Sequence, residues 1–230
     1  MIAAFTGGGG KTSLIWYLAE KFSAQGKRVI VTTTTHMAWE PWRPFAEAED
    51  ACAIRQLLSQ HGYVMAAHHE AGQPKISGPD REVFRKLSGF CDLLLVEADG
   101  SRRLPLKVPA QWEPVIPEEA DVVVGVTGFD CLGKKISETA HRPDSVAEFL
   151  GKSTEDIVTW MDVARIAVSE EGLRKGVGER SFLVYLNKAD VLETLENAKR
   201  IVEYCRSAGV EVVCGSVRNV GIMLCGDERK

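Results

Sequence analysis

The stretch FTGGGGKTSL, residues 5–14, decides how the rest of the chain is read. Gly7, Gly8, Gly9 and Gly10 run directly into Lys11, Thr12 and Ser13. Glycine reaches dihedrals closed to other residues and lets other atoms approach the main chain. A loop that turns its N–H groups inward around phosphate oxygens needs both properties. Ahead of it, IAAF (2–5) is a short apolar run that reads as a buried strand. Behind it, TSLIWYLAEKFSAQG places Leu14, Ile15, Leu18 and Phe22 on one helical face, and Gly26 suits the helix stop. Strand, glycine loop and helix in that order make a P-loop, with the helix dipole added to the loop amides. In that role Gly7 to Gly10 cradle phosphate and Lys11 reaches the β- and γ-phosphates. Thr12 ligates Mg²⁺ and Ser13 bonds the α-phosphate. A loose glycine-rich tail is the alternative; the flanking strand and helix argue against it.

The spelling of the loop is informative. The pattern G-x-x-x-x-G-K-[ST] would need its first glycine at Phe5. The form G-G-x-G-K-T, used by MinD-like P-loop proteins, fits instead. That class often carries a lysine just before the first glycine, where this chain has Thr6, so a second-lysine mechanism is not expected.

Outward from the loop, strands and helices alternate. KRVIVTTTT (27–35) reads as a strand, ACAIRQLLSQ (51–60) as a helix and GYVMAAHH (62–69) as a strand. Residues 70–79 carry two Gly and two Pro and read as a loop; DREVFRKL (80–87) reads as a short helix. CDLLLVEADG (91–100) and ADVVVGVTG (120–128) read as buried strands. HRPDSVAEFLG (141–151) opens a helix near Pro143, with Ser145 and Glu148 spaced as a capping box. STEDIVTWM and the run to SEEGL give one or two further helices. SFLVYLNKAD (181–190) reads as a strand and polar turn, VLETLENAKRIVEYCRSAG as an amphipathic helix and VEVVCGSV (210–217) as the last strand. The expected fold is α/β and P-loop NTPase-like: a mainly parallel sheet, helices on both faces and a small helical insertion. Residues 1–230 read as one nucleotide-binding domain with a helical lobe over 128–178.

Two more motifs lie at strand ends, where open α/β sheets bind ligands. LLLVEADGS ends in Glu97, Asp99 and Gly100. G proteins use D-x-x-G there, with the aspartate on Mg²⁺; here Glu97 takes that position and Asp99 is a second candidate for metal or for positioning water. LVYLNKAD carries Asn187, Lys188 and Asp190 in the N-K-x-D spacing with which G proteins read guanine. The aspartate accepts from the guanine N1–H and 2-amino group, and the lysine stacks along the base. Adenine presents the wrong edge and would strand a buried polar group. Ser216, in CGSV after the following strand, is a weaker candidate beside the base. The reading favours GTP over ATP.

Composition bounds the rest. The chain has 230 residues, 45% hydrophobic and 26% charged, with net charge −4. No basic field points to nucleic acid. No apolar run approaches the roughly 20 residues of a membrane span, and MIAAFTGGGG lacks the basic and long apolar parts of a secretory signal. Cys52, Cys91, Cys131, Cys205, Cys214 and Cys225 form no C-x-x-C pair and read as thiols in a reducing cytoplasm.

Taken together, GGGGKTS, VIVTTTTHM, LLLVEADGSRRLPLK, the His141-Arg142 pair and LNKAD resemble the YqeC family across residues 2–217. Those P-loop proteins are described as accessory or selenium-cofactor biosynthesis factors for selenium-dependent molybdenum hydroxylases. The resemblance implies a selenium species or molybdopterin cofactor as second ligand and an apo molybdenum hydroxylase as partner. It makes Thr35 and His36, which leave the second strand, candidates for sensing the γ-phosphate or a substrate. Arg102, Arg103 and Lys107, with His141 and Arg142, become candidates for holding an anion; a solvated basic loop is the plain reading of the first three. Analogy to the MinD-like class implies a homodimer.

Three functions share these residues. One is a Mg²⁺-dependent GTPase with Lys11, Glu97 and Asp99 at the reacting phosphates. Another is an ATP-dependent small-molecule kinase acting on a selenium species or pterin, with Asp99 or His36 as base. The third is a nucleotide-binding scaffold without turnover.

Overall fold

The computed structural model describes residues 1–190, 195–217 and 221–223. The chain divides into two compact units. The first comprises Met1–Phe5, Thr12–Gly100 and Val115–Val122; the second comprises Thr6–Lys11, Ser101–Pro114 and the described residues from Val123 onward.

The first unit begins with the Ile2–Phe5 part of β1 (Ile2–Gly7), whose six residues are all buried. α1 (Lys11–Ala24) follows the glycine loop. Next come β2 (Val29–Thr33), β3 (His36–Ala38), β4 (Phe45–Glu47), α2 (Ala51–His61), β5 (Tyr63–His69), β6 (Lys75–Ser77), α3 (Arg81–Ser88) and β7 (Leu93–Glu97). β7 lies between β1 and β2, parallel to both, with Phe5 opposite Glu97 and Thr33 opposite Glu97. β5 continues the sheet in parallel beside β2, and β4 runs parallel to β5. Parallel strands buried on both faces read as unbroken apolar runs, as IAAF, VIV and LLLV do.

Alternation sorts the side chains. Ile2, Ala4, Ile30, Val64, Leu94 and Val96 pack with Ile54 and Leu58 of α2 and Phe84 and Leu87 of α3. Ala3, Phe5, Val29, Val31 and Leu95, pointing the other way, are equally buried, as are Leu14, Ile15, Trp16 and Ala19 of α1. Leu18 and Phe22, expected on that helical face, are only half-buried; Trp16 and Ala19 take the inner positions.

Local chemistry sets the helix ends. Asp50 caps α2 by accepting from the Ala53 N–H at 2.9 Å, and Gly62 closes it with φ 74°. Asp80 caps α3 through the Val83 N–H at 2.9 Å. The segment 70–79, expected to be loop, contains β6, which pairs antiparallel with both β3 and β5. A three-residue strand is too short to show a period in sequence.

The second unit contains β8 (Leu106–Lys107), β9 (Val122–Gly128), a 3₁₀ turn at Phe129–Cys131, α4 (Ile136–Thr139), β10 (Ala140–His141), α5 (Pro143–Leu150), α6 (Trp160–Val168), β11 (Ser181–Asn187), α7 (Leu195–Ser207), β12 (Glu211–Ser216) and β13 (Gly221–Met223). β9, β11 and β12 are consecutive neighbours, with β11 parallel to β12. β12 is not the last strand: β13 pairs antiparallel with it. β8 and β10 form a separate parallel pair. Val146, Leu150, Val163, Ile166, Leu186, Ile201 and Cys214 share one core cluster that spans α5, α6, α7 and strands β11 and β12.

The capping box expected at Ser145 and Glu148 is not formed. Pro143 is the first helical residue, which puts Ser145 inside α5, and Arg142 precedes it with φ 59° and no side-chain cap. Proline's fixed φ sets the start there. The reciprocal cap belongs to α6: Asp162 N–H donates to Thr159 Oγ1 at 3.3 Å, and Thr159 N–H donates to Asp162 Oδ2 at 2.8 Å. The opening four residues of the expected helix after Asp190, and Cys225, lie outside the described residues. The other five cysteines are free thiols. Among the described residues no helix is long and apolar enough to cross a membrane.

Candidate functional site

In the first unit, α1 brings Thr12 to the end of β7. Thr12 Oγ1 donates to Glu97 Oε2 at 2.6 Å, and Glu97 is only 6% exposed. The Glu97 carbonyl accepts from Thr33 Oγ1 at 2.8 Å and from the Thr34 N–H at 3.1 Å. The neighbouring Ala98 N–H donates to Phe5 at 2.9 Å, so β1 and β2 clamp this strand end from both sides. Thr32 Oγ1 donates to the Ala66 carbonyl at 2.7 Å, a strand-to-strand bond. Asp99 is fully buried just beyond Glu97, whereas Ser13 is exposed. Thr35 is half-buried, its N–H on Thr33 Oγ1 at 3.1 Å. His36 is exposed and sits 3.0 Å from Glu70.

In the second unit the glycine loop meets other main chain at close range. The Gly8 N–H donates to Val126 at 2.8 Å and the Gly9 N–H to Leu104 at 3.0 Å. Gly7 and Gly9 have φ of +92° and +73°; a Cβ on them would lie 2.3 Å from the Val126 oxygen and 2.2 Å from the Gly128 nitrogen. Both the dihedral and the space therefore demand glycine. Gly10, with φ +109°, has the Asn187 amide at 2.7 Å from any added Cβ. Lys11 is buried and its Nζ donates to the Gly7 carbonyl.

The N-K-x-D segment closes on this loop. Asn187 Nδ2 donates to the Gly9 carbonyl at 2.7 Å, and Asn187 Oδ1 accepts from the Lys188 N–H at 2.8 Å. Lys188 adopts φ 63°, and its ammonium pairs with Asp130 Oδ2 at 2.6 Å. The Ala189 N–H donates to Gly215 at 3.0 Å, which ties the segment to the end of β12, where Ser216 is 9% exposed. Asp190 is exposed.

The basic candidates separate. Arg102 and Arg103 are exposed, both at positive φ. Lys107 is 1% exposed and lies 2.8 Å from Glu113. Arg142 Nη1 donates to the same Glu113 oxygen at 2.6 Å. Burial alone would raise the Glu113 pKa, but hydrogen bonds from Arg142 and Lys107 outweigh it and hold it at about 2. His141 is pushed down to about 4, by burial first and then by Arg142 and Lys107. Glu113 and Asp130 are the partners that motif reading missed. Neither belongs to a motif, although an acid in a segment rich in cations is a weak signal.

The structure is that of an α/β protein with a mainly parallel sheet and a glycine-rich loop between its first strand and first helix. The chain belongs to the YqeC family: residues 3–144 match the family described as "YqeC protein". It is 31% identical over 219 residues to the Escherichia coli (strain K12) protein described as "Uncharacterized protein YqeC", covering 92% of this chain and 85% of that one. Among solved structures it is similar to the MinD cell division protein of Aquifex aeolicus, with TM-score 0.45, 15% identity and coverage of 93% and 80% of the two chains. It is also similar to a GTPase in apo form from Pyrococcus abyssi, with TM-score 0.37, 13% identity and coverage of 95% and 91%.

Proposed function

We propose that this protein is a Mg²⁺-dependent P-loop nucleoside triphosphatase that prefers GTP. The observation that carries the reading is the Asn187 bond to the Gly9 carbonyl, because it joins the base-reading segment to the phosphate loop. The glycine loop offers phosphates a close main-chain approach, and its Gly8 and Gly9 N–H groups would have to leave the Val126 and Leu104 carbonyls to donate to them. Lys11 neutralises charge on the β- and γ-phosphates. Lys188 lies along the base, Asp190 accepts from the guanine edge, and Ser216 borders it.

The oxygen donors of Thr12 and Glu97 stand 2.6 Å apart, and hydroxyl and carboxylate oxygens suit Mg²⁺. Those two residues would hold the ion, which when bound neutralises charge developing on the phosphates. Asp99 positions the attacking water in this reading. Thr35 and His36 stand at the end of β2 as sensors of the γ-phosphate or of a second substrate.

The family resemblance supports a finer reading: nucleotide turnover drives delivery of selenium or cofactor to an apo molybdenum hydroxylase. Parallel equilibrium titrations of GTP and ATP with Mg²⁺, on the wild type and Lys11→Ala, test the core of the proposal. Tight, Lys11-dependent GTP binding is expected. A preference for ATP overturns the guanine assignment, and binding that survives Lys11→Ala overturns the phosphate-loop assignment.

A further inference from the structure

Asp130 lies just beyond β9, in the 3₁₀ turn Phe129–Cys131. Phe129 and Cys131 on either side of it are buried in the core of this unit. The Leu132 N–H closes the turn on the Phe129 carbonyl at 3.0 Å. The position of Asp130 is therefore set by apolar packing on both sides. Its carboxylate stands over Gly128. A Cβ on Gly128 would lie 2.4 Å from Asp130 Oδ1 and 3.2 Å from the Gly9 Cα, so the carboxylate and the glycine loop flank the same residue.

The two carboxylate oxygens differ. Oδ1 is buried and has no hydrogen-bond partner among the described residues. Oδ2 accepts from the Lys188 ammonium at 2.6 Å. With one oxygen enclosed and undonated, the carboxylate depends on that cation for compensation.

Lys188 is held at its other end as well. Its φ of 63° lies in the left-handed region, which a residue with a long side chain keeps only where its surroundings enforce it. The Lys188 N–H donates to Asn187 Oδ1 at 2.8 Å, and Asn187 Nδ2 donates to the Gly9 carbonyl at 2.7 Å. Main chain and ammonium are both pinned, and the four-carbon stem runs between the two. The side chain is still 35% exposed.

We propose that Asp130 is a positioning residue of the nucleotide site: it ties down the Lys188 ammonium so that the lysine stem is fixed in advance as an apolar ledge for the base. The inference rests on the reading above that the N-K-x-D segment meets the base. The ion pair does not compete with that role, because the base meets the stem and not the ammonium. A free lysine would have to be ordered when the nucleotide arrives, and that loss of rotamer freedom would weaken binding. Asp130 removes the loss beforehand. Its contribution is therefore to the base and not to the phosphates.

The test is calorimetric titration of the full chain, with Mg²⁺, using GTP and inorganic tripolyphosphate, which carries the phosphates without a base. The proteins are the wild type, Asp130→Asn, Lys188→Met and the double variant. Asp130→Asn is expected to weaken GTP about fivefold or more and to leave tripolyphosphate within about twofold of the wild type. The double variant should lose no more GTP affinity than Lys188→Met alone, because the two residues act through one bond. Unchanged GTP affinity in Asp130→Asn overturns the proposal. So do parallel losses for GTP and tripolyphosphate, which would make Asp130 a support of the glycine loop, and so do additive losses in the double variant. A wild type that binds no GTP overturns the nucleotide reading itself and this inference with it.

Discussion

The Asn187 side-chain amide donates to the Gly9 carbonyl at 2.7 Å, across 178 residues of sequence. Asn187 is 3% exposed, so losing the bond strands a buried carbonyl. Asn187→Ala is expected to cost about 1–3 kcal/mol of stability. If the loop binds the nucleotide as proposed, GTP affinity should fall by about tenfold or more, because the Gly9 carbonyl loses the bond that fixes its position. Urea denaturation and GTP titration measure the two effects; unchanged GTP affinity would separate the N-K-x-D segment from the nucleotide.

Gly9→Ala puts a methyl group 2.2 Å from the Gly128 nitrogen at φ +73°. The atoms it would meet, on Thr127 and Gly128, are main chain, so they do not yield cheaply. A loss of more than about 2 kcal/mol is expected, together with loss of nucleotide binding. Gly26→Ala has the same sign of φ, at +80°, with nothing within 4 Å of the new methyl. It is expected to cost only about 1 kcal/mol and leave binding intact. Equal losses at both positions, read from denaturation midpoints, would sink the close-approach argument.

Removal of Mg²⁺ by chelation should weaken triphosphate binding in the wild type. Thr12→Ala and Glu97→Gln should each make binding largely indifferent to the chelator. A full chelator response in Glu97→Gln would move the metal role to another carboxylate, with Asp99 the next to test.

Acid stability follows from the Glu113 centre. His141 has its pKa lowered to about 4 in the folded chain, so between about pH 6.5 and 4 the unfolded state binds the extra proton. Stability is present above that window and falls as pH drops through it, by an amount on the order of 2 kcal/mol. Glu113, lowered to about 2, adds stability that is present above its ordinary range and lost as pH falls from about 4.5 toward 2. His141→Gln is expected to flatten the upper part of the profile and leave the lower part. Denaturant midpoints measured from pH 7 to pH 4 decide this; an unchanged slope would show that the ring is not held neutral.

Asp190→Asn replaces the carboxylate proposed to accept from guanine's N1–H and 2-amino group. It is expected to reduce the preference for GTP over ATP and to improve binding of xanthosine triphosphate. Competition titrations with the three nucleotides measure the change, and an unaltered ranking would remove Asp190 from base selection.

The long elements were legible because each carries its own period or its own unbroken apolar run. β1, β2, β7 and β9 are buried strands with few polar residues, and α2 and α3 have aspartate caps. β3, β4, β6, β8, β10 and β13, each of two or three residues, were not legible. Strands that short form only because a neighbour offers an edge. Glu113 and Asp130 escaped for a related reason: their partners Arg142 and Lys188 lie 29 and 58 residues away.

The sequence by itself determined the strand–glycine loop–helix opening, the carboxylate at the end of the buried strand and the N-K-x-D turn, since each is a local pattern of residue types. Only the tertiary structure decided what those patterns touch. Arg102, Arg103 and Lys107 carry the same charge within one short segment, yet the first two are exposed and the third is enclosed against Glu113. The pairing of β8 with β10 makes the difference. A cation's solvation is set by which distant chain folds over it, and no run of neighbouring residues encodes that.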